Sequence, residues 1–311
     1  MNPMSLEKVD FAEYLKRLSF VEMDSIKPLD NFAESVADFA AKGQVVFGSE
    51  LPWNKANEFV RLGTGKLSIW AGESASGKSL ILGQVITKLL ENGEQALIAS
   101  LEMPPRETIY RMICQSATCK ASRAYCLKWI EHFRGKLFIY DELDRVDINR
   151  ILGMCHYAAH ELGLNHVVID SLTKCGVGRD DYAKQAAFVD RLQWCAKTWD
   201  IHIHLVCHMR KSDSTGKSDI RGASEITDLA DNVFILDRNR VKEKEMDKAN
   251  YGQVPDEKIS NQGDAYLKLV KNRQFGFEKD FVLWFDLNSG VYKDAKNSPL
   301  RPLELNEVNN G

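Results

Sequence analysis

The sequence lacks any apolar run of about 18 residues, the length that a membrane-spanning helix requires. Its first residues, MNPMSLEKVDFAEYL, lack the basic and then apolar order of a secretory signal. None of the seven cysteines forms a C-x-x-C pair, which argues against a zinc ribbon, and their odd number is typical of reduced thiols. These absences predict a cytosolic protein without a membrane partner.

Positive charge is not in excess either. The chain has 41 Lys and Arg residues against 44 Asp and Glu, which gives a formal net charge of −3. This balance excludes a protein that coats nucleic acid through bulk positive charge, but it leaves room for a locally basic channel. Apolar residues fill 44% of the 311 positions, enough for one large domain or two small ones with full cores.

Short apolar runs alternate with longer amphipathic segments from about residue 66 onward. Fully apolar strands in such an alternation predict an α/β fold with a mainly parallel sheet and helices on both faces. Two later apolar runs around Gly276 predict an antiparallel hairpin at the sheet edge. The predicted strands are 67–72, 96–102, 136–142, 166–172, 201–209 and 232–237, with the hairpin at 265–273 and 281–287. The predicted helices are 78–93, 106–117, 146–163 and 181–199.

The remaining segments flank this core. Residues 1–45 have the apolar spacing of short amphipathic helices but are too few to bury a core, so we expect an arm that packs on another surface. Residues 46–290 hold all of the predicted strands and form the main domain. Residues 291–311 are mostly polar, and the sequence predicts a flexible tail there.

A complete G-x-x-x-x-G-K-S/T motif follows the first predicted strand and opens the first predicted helix, the context that a phosphate-binding loop requires. Its residues are Gly72, Glu73, Ser74, Ala75, Ser76, Gly77, Lys78 and Ser79. The glycines let backbone N–H groups surround phosphates at the positive end of the helix. Lys78 is expected to reach the β- and γ-phosphates, and Ser79 to hold Mg²⁺. The predicted ligands are therefore ATP, or another NTP or dNTP, and Mg²⁺.

Carboxylates at the ends of apolar strands supply candidates for the rest of such a site. Asp170 ends the run H-V-V-I-D and is the predicted second ligand of Mg²⁺. A carboxylate that orients water at the γ-phosphate is also expected on a strand near the phosphate loop. Glu102 after A-L-I-A-S-L, and the pair Asp141 and Glu142 after K-L-F-I-Y, are the candidates, and their spacing does not choose between them.

Four stretches occur in the order found in one known family. They are the phosphate loop, S-L-E-M at Ser100–Met103, V-I-D at Val168–Asp170, and a segment from S-D-I-R-G-A-S at 218–224 to Ala230 and Asp231. Over roughly residues 45–290 the chain resembles the RecA-like motor domain of hexameric replicative DNA helicases, a family that includes bacterial DnaB, the helicase half of phage primase-helicases and mitochondrial Twinkle. The resemblance implies a RecA-like P-loop NTPase core and places the family's catalytic glutamate on Glu102.

The resemblance implies further roles by position in the motifs. His208, at the end of a predicted strand, matches the γ-phosphate sensor, and a histidine there is similar to the phage branch. Arg273, in K-N-R-Q-F-G, matches the arginine finger that acts in a neighbouring subunit's site, with Lys271 as its companion. Arg238 and Phe285 match the pair that sandwiches the nucleotide base.

Contact with DNA is implied for two loops, each of which follows a strand that carries a site residue. One runs from Lys174 to Arg179 after Asp170, and the other covers 210–221 after His208. Small residues with scattered Lys and Arg suit contact with the DNA backbone without sequence readout. The expected DNA-binding residues are Lys174, Arg179, Lys211, Lys217, Arg221, Gly222, Ala223 and Ser224.

The combined expectation is an ATP-dependent replicative helicase, a homo-hexameric ring that moves 5′-to-3′ on single-stranded DNA. With no zinc-binding cysteine set and no primase module, we expect a stand-alone, phage-type motor in the bacterial host cytosol, with a separate primase or polymerase as its partner. A RecA-like recombination or repair ATPase that forms filaments on DNA is the alternative. A degenerate ATPase kept as a loader is a third reading, which the intact Lys78, Ser79, Glu102 and Asp170 oppose.

Overall fold

The computed structural model of the protein describes residues 29–34, 36–37, 48–143, 145–178, 181–209 and 223–305. Within these ranges nine strands form one sheet, and none of the helices is long and apolar enough to cross a membrane. The strands are β1 (Lys66–Gly72), β2 (Ala96–Ser100), β3 (Leu137–Ile139), β4 (His166–Asp170), β5 (His202–His208), β6 (Asn232–Arg238), β7 (Ala265–Asn272), β8 (Lys279–Asp286) and β9 (Val291–Lys293). The α-helices are α1 (Lys78–Glu91), α2 (Pro105–Ala117), α3 (Arg123–His132), α4 (Ile148–His160), α5 (Tyr182–Thr198), α6 (Ala223–Leu229), α7 (Arg240–Asp247) and α8 (Glu257–Ser260).

The strand order is β3-β2-β4-β5-β1-β6-β7-β8-β9. The first six strands along the chain pair in parallel, and β7, β8 and β9 add an antiparallel edge beside β6. The predicted mainly parallel α/β sheet with an antiparallel C-terminal hairpin is confirmed. The ends of β1, β2, β4 and β5, where the candidate site residues lie, all open on the same edge of the sheet because these strands are parallel.

Side chains of the parallel strands alternate between two apolar cores, one on each face of the sheet. In β1, Leu67 and Ile69 belong to one core, and Trp70 belongs to the other. Trp70 stacks on Phe234 of β6 with 4.3 Å between ring centroids. Burial on both faces explains why these strands read as continuous apolar runs rather than as an alternation of apolar and polar residues.

The C-terminal segment differs from the prediction. Val291–Lys293 pair with β8, and Tyr292 is only 4% exposed. Further on, the Leu303 N–H donates to the Ser116 carbonyl oxygen at 2.8 Å. Part of the segment predicted to be a flexible tail is thus attached to the sheet and the core, because a few apolar side chains in a polar segment are enough to hold it there. Residues 306–311 lie outside the described residues, as does most of the predicted arm at 1–45.

The segment before β1 holds β9 in place. The Trp53 indole donates to the Tyr292 carbonyl oxygen at 3.0 Å, and Lys55 Nζ donates to the Asp294 carbonyl oxygen at 2.7 Å. The Gln84 amide of α1 also donates to the carbonyl oxygen of Tyr292 (2.9 Å) and accepts from its N–H (3.0 Å). The side chain of Tyr292 is thereby fixed beside the start of α1, which is also where the phosphate loop ends.

Three buried histidines lie side by side on β4 and β5. Nitrogen atoms of His166, His202 and His204 come within 4.8 Å of one another, a spacing that could hold a metal ion. The Trp70 indole, however, donates to His204 Nδ1 at 3.2 Å, so the hydrogen of neutral His204 is on Nε2 and points to His166 Nδ1, also 3.2 Å away. His202 Nδ1 lies 2.6 Å from the Gly63 carbonyl oxygen and must donate to it. The hydrogen bonds are those of three neutral imidazoles.

This cluster predicts acid sensitivity of the fold. Burial lowers the pKa of His166 to about 4 and the pKa values of His202 and His204 well below 6.5. Below about pH 6.5 the unfolded chain binds protons that the folded chain excludes, so the free energy of unfolding falls as the pH decreases toward 4. For His166, a folded-state pKa near 4 corresponds to a loss of about 2 kcal/mol between pH 6.5 and pH 5, and His202 and His204 act in the same direction.

Urea unfolding followed by circular dichroism at pH 7 and pH 5 measures this loss. We expect His166→Asn to reduce the difference between the two pH values, and His132→Asn, outside the cluster, to leave it unchanged. Equal free energies of unfolding at both pH values in the wild-type protein would contradict the prediction.

Candidate active site

The phosphate-binding motif lies between β1 and α1, as the sequence predicts. Gly77 has a φ of 98°, in the left-handed region, and a Cβ there would come 2.4 Å from the Tyr292 hydroxyl oxygen. A Cβ on Gly72 would lie 2.7 Å from both the Leu236 carbonyl oxygen and Ser76 Oγ. Both positions require glycine, because the loop backbone passes too close to its neighbours for any side chain.

The ammonium group of Lys78 is folded into this loop. Lys78 Nζ donates to the carbonyl oxygens of Gly72 (3.0 Å) and Glu73 (2.7 Å), and the residue is buried. Burial lowers the pKa of Lys78, while the negative charges of Asp170 and Glu102 oppose that shift. The ammonium therefore lies between the loop backbone and two carboxylates, where a phosphate oxygen could replace a carbonyl oxygen as its partner.

Ser79 and Asp170, the two predicted metal ligands, lie in contact. Ser79 Oγ donates to Asp170 Oδ2 at 2.7 Å. Asp170 is buried at the end of β4, and burial raises its pKa, although the Ser79 hydrogen bond and the charge of Lys78 oppose that shift. A hydroxyl and a carboxylate beside a phosphate loop are the oxygen ligands that Mg²⁺ takes in such sites, so the donor set fits this ion.

Glu102 follows β2 and contacts the ends of two other strands. Its Oε1 accepts a hydrogen bond from Ser171 Oγ at 2.6 Å and lies 3.3 Å from His208 Nε2. The hydrogen bond with His208 is the largest cause that lowers the pKa of Glu102 to about 2; the Ser171 bond adds to it, and burial opposes it. Glu102 is therefore ionised at neutral pH, the state that a proton-accepting or water-orienting group needs.

The competing acidic pair, Asp141 and Glu142, lies further from this cluster. Both follow β3, the edge strand, which β2 separates from the strands of Asp170 and His208. The Glu142 carboxylate is also engaged locally, since it accepts hydrogen bonds from the Tyr140 hydroxyl and from Arg150 Nη1, the latter at 2.8 Å. Position and partners both favour Glu102 as the carboxylate next to the phosphate loop.

Arg238 and Phe285 lie on the other side of the phosphate loop. Arg238 Nη1 donates to the Ala75 carbonyl oxygen of the loop at 3.0 Å. The Phe285 ring packs on the Tyr292 ring with 4.7 Å between centroids, and the Tyr292 hydroxyl donates to the Ser76 carbonyl oxygen at 3.4 Å. Both residues implied to hold the base are thus attached to the loop, Arg238 directly and Phe285 through Tyr292.

Three residues that sequence reasoning did not single out belong to this site. Ser171 holds Glu102, and its position directly after Asp170 was the available signal. Tyr292 contacts the loop through its hydroxyl, but it lies in a strand of only three residues, too short for the sequence pattern to indicate. Glu243 of α7 accepts from Arg238 Nε at 2.6 Å and from Arg240 Nη1 at 2.9 Å, and no local pattern indicates this role.

Lys271 and Arg273 lie away from the phosphate loop of their own chain. Lys271 Nζ donates to the Asp228 carbonyl oxygen at 2.8 Å, and Arg273 Nη2 donates to the same atom at 2.5 Å. Arg273 Nη1 is also 3.5 Å from Asp231 Oδ1. Both cations therefore bind at the C-terminal end of α6, whose carbonyl oxygens attract positive charge.

The sheet register fixes the distance between Arg273 and the loop. β7 is antiparallel to β6, and its last residue, Asn272, pairs with Asn232 at the start of β6. The start of β6 is level with the start of β1, whereas the phosphate loop follows the end of β1. Asn232 pairs with Ser68, and the four residues from there to Gly72 extend about 13 Å, so Arg273 and its own phosphate loop lie at opposite ends of the strands.

The candidate DNA loops are described only in part. Lys174 ends the 3₁₀ turn Leu172–Lys174 after β4, and its charge contributes to the low pKa of Glu102. Ala223 and Ser224 begin α6. The other predicted DNA-binding residues lie outside the described residues; they are Arg179, Lys211, Lys217, Arg221 and Gly222.

Known proteins share this architecture. Residues 58–292 match the family model of the DnaB-like helicase C-terminal domain. A solved ATPase domain superposes with a TM-score of 0.71 at 17% sequence identity, over 86% of this chain and 99% of that one. A DnaB-like replicative helicase, studied with its interactions with primase, superposes with a TM-score of 0.68 at 16% identity, over 87% of this chain and 67% of that one. The two structures show a common fold, and the family match shows that the chain belongs to the DnaB-like helicase C-terminal domain family.

Proposed function

We propose that this chain is the ATP-driven motor of a replicative DNA helicase, which hydrolyses ATP or another NTP or dNTP with Mg²⁺ while it moves along single-stranded DNA. The contact of Glu102 with Ser171 and His208 carries the proposal. Through this contact, a carboxylate suited to hydrolysis is linked to the ends of β4 and β5, which the candidate DNA loops follow. A change at the nucleotide can therefore reach both loops through one side chain.

Nucleotide binding uses the loop and its two neighbouring oxygen donors. Backbone N–H groups from Glu73 to Ser79 and the positive end of α1 attract the phosphates, and Lys78 exchanges its loop carbonyl partners for phosphate oxygens. Ser79 and Asp170 would hold Mg²⁺. The ion, when bound, neutralises charge on the β- and γ-phosphates. Burial raises the pKa of Asp170 because it disfavours the charged carboxylate, and a bound Mg²⁺ would give this carboxylate a cation partner.

Hydrolysis requires a water molecule oriented toward the γ-phosphate. Ionised Glu102 accepts a hydrogen bond from this water and directs its lone pair to phosphorus. His208 contacts the same carboxylate and can donate to a γ-phosphate oxygen when the triphosphate is present. Release of phosphate removes that acceptor, so His208 at the end of β5 reports the change to the segment that follows it.

The base and the neighbouring subunit complete the proposed site. Arg238 is anchored by Glu243 and by the loop carbonyl of Ala75, so a face of its guanidinium can stack on a base opposite Phe285. Arg273 and Lys271 lie at the far end of the strands from their own loop and would serve the site of a neighbour, and we propose a ring of about six copies. We further propose 5′-to-3′ movement and a separate primase or polymerase partner.

Fork unwinding and ATP hydrolysis test this function together. We expect single-stranded DNA to raise the ATPase rate several-fold, and unwinding to require a 5′ tail on the fork. Lys78→Ala serves as the control that lacks the phosphate contact and should support neither activity. Equal turnover in wild type and Lys78→Ala would exclude the enzyme, unwinding that needs only a 3′ tail would reverse the polarity, and open filaments with an ATP analogue would favour a recombination ATPase.

A further inference from the structure

The Glu102 carboxylate has two anchors of unequal quality. Ser171 Oγ lies 2.6 Å from Glu102 Oε1, whereas His208 Nε2 lies 3.3 Å from the same atom. Ser171 is fully buried, and its hydroxyl oxygen is also 2.9 Å from Thr173 Oγ1. The His208 contact has the larger effect on the pKa of Glu102, but the shorter Ser171 bond restrains the orientation of the carboxylate more tightly.

The directions of these hydrogen bonds follow from the chemistry of the groups. An ionised carboxylate only accepts, so the single hydrogen of the Ser171 hydroxyl must point to Glu102. The contact between the two hydroxyls is then made by the Thr173 hydrogen, which Ser171 Oγ accepts. The result is a directed chain from Thr173 through Ser171 to Glu102, in which each donor supports the next.

We propose that Ser171 is a positioning residue for ATP hydrolysis, which orients the Glu102 carboxylate toward the attacking water; this inference rests on the proposed function. Ser171 follows Asp170 directly, so the end of β4 positions two groups at once. They are the Asp170 carboxylate for Mg²⁺ and the Ser171 hydroxyl that orients Glu102. Carboxylate torsions are broad and weakly restrained by themselves. Without Ser171, the contact to His208 at 3.3 Å is the one hydrogen bond left to the Glu102 carboxylate among the described residues, and the carboxylate rotates away from the productive orientation.

The hydroxyl of Ser171 is separable from the structural role of its backbone. The Ser171 carbonyl oxygen accepts from the Lys174 N–H at 2.9 Å and from Cys175 Sγ at 3.5 Å, and these contacts hold the turn after β4. An alanine at this position keeps both of them and removes one oxygen atom. We therefore expect Ser171→Ala to fold, and to lose activity through Glu102 alone.

A double-mutant cycle tests this inference. Ser171→Ala should lower kcat by about 10- to 100-fold, the effect of one hydrogen bond to a charged group, with KM for ATP changed less than about twofold. In the Glu102→Gln background the same change should lower kcat by less than about twofold, because residues that act as a unit are not additive. Ser260→Ala on α8 is the matched serine control and should match wild type.

A second variant keeps the test independent of the folding of Ser171→Ala. Thr173→Val removes the donor to Ser171 and should lower kcat by about 3-fold, again only while Glu102 is present. Wild-type kcat in Ser171→Ala, or equal losses in both backgrounds, would overturn the positioning role. If single-stranded DNA does not raise the ATPase rate of the wild-type protein, the proposed function is overturned instead. Failure of the positioning role and failure of the proposed function are therefore distinguishable.

Discussion

Glu102→Gln should lower kcat for ATP hydrolysis by about 10²–10⁴-fold, the range expected for loss of a general base, while KM for ATP changes little. Glutamine keeps the size of the side chain and can still contact Ser171 and His208. It cannot take a proton, and it carries no charge to orient the attacking water. The pKa of Glu102, lowered to about 2, means that the wild-type carboxylate is ionised throughout the usual assay range.

Glu142→Gln is the matched control for this prediction. It makes the same chemical change in the acidic residue that competed with Glu102, at the edge strand and outside the cluster of Ser171 and His208. Steady-state ATPase assays with saturating single-stranded DNA should find near wild-type kcat for this variant. A large loss in Glu142→Gln together with an active Glu102→Gln would move the catalytic role to the other carboxylate.

Arg273→Ala should lower kcat by about 10³–10⁵-fold, the contribution measured for arginine fingers, although Arg273 lies at the opposite end of the strands from the phosphate loop of its own chain. The guanidinium would stabilise charge on the transferring phosphoryl group of a neighbour. Its present partners are carbonyl oxygens at the end of α6 and the Asp231 carboxylate, which hold it at the surface without a phosphate.

Mixing inactive subunits distinguishes a role in the neighbouring site from a structural one. Arg273→Ala subunits keep an intact phosphate loop, and Lys78→Ala subunits keep an intact Arg273. Mixed assemblies should recover part of the ATPase activity, because some interfaces then join the two intact halves. Lys279→Ala, an exposed cation on the other strand of the same hairpin, should remain active. No recovery on mixing would contradict action across an interface.

Much of the fold could be predicted because the spacing of apolar residues and the positions of glycines are local properties of the sequence. An apolar run such as H-V-V-I-D indicates a parallel strand, because parallel strands are buried on both faces. The glycines of the phosphate loop indicate a backbone that a ligand can approach closely. Asp170 and Ser79 could be paired for the same reason. The end of β4 opens on the edge where the loop lies, and the two oxygen atoms are 2.7 Å apart.

The parts that could not be predicted depend on contacts between distant segments. Tyr292 lies in a three-residue strand within a polar stretch, and only its packing on Gly77 and Phe285 places it at the site. Ser171 looks like any residue after a strand until Glu102, 69 positions earlier, is seen to accept its hydrogen. Glu243 is one acid in a charged helix, and its two arginine partners define its role.

The separation of Arg273 from its own phosphate loop also constrains how copies of the chain can associate. If the cation of one copy must meet the loop of the next, the contact joins two different surfaces, and a two-fold dimer built on a single self-complementary patch cannot form it. Such head-to-tail contacts run in one direction around the assembly. In an open row of copies, the phosphate loop at one end always lacks the Arg273 of a neighbour. In a closed ring every loop has one, so ring closure itself raises the number of sites that can hydrolyse ATP.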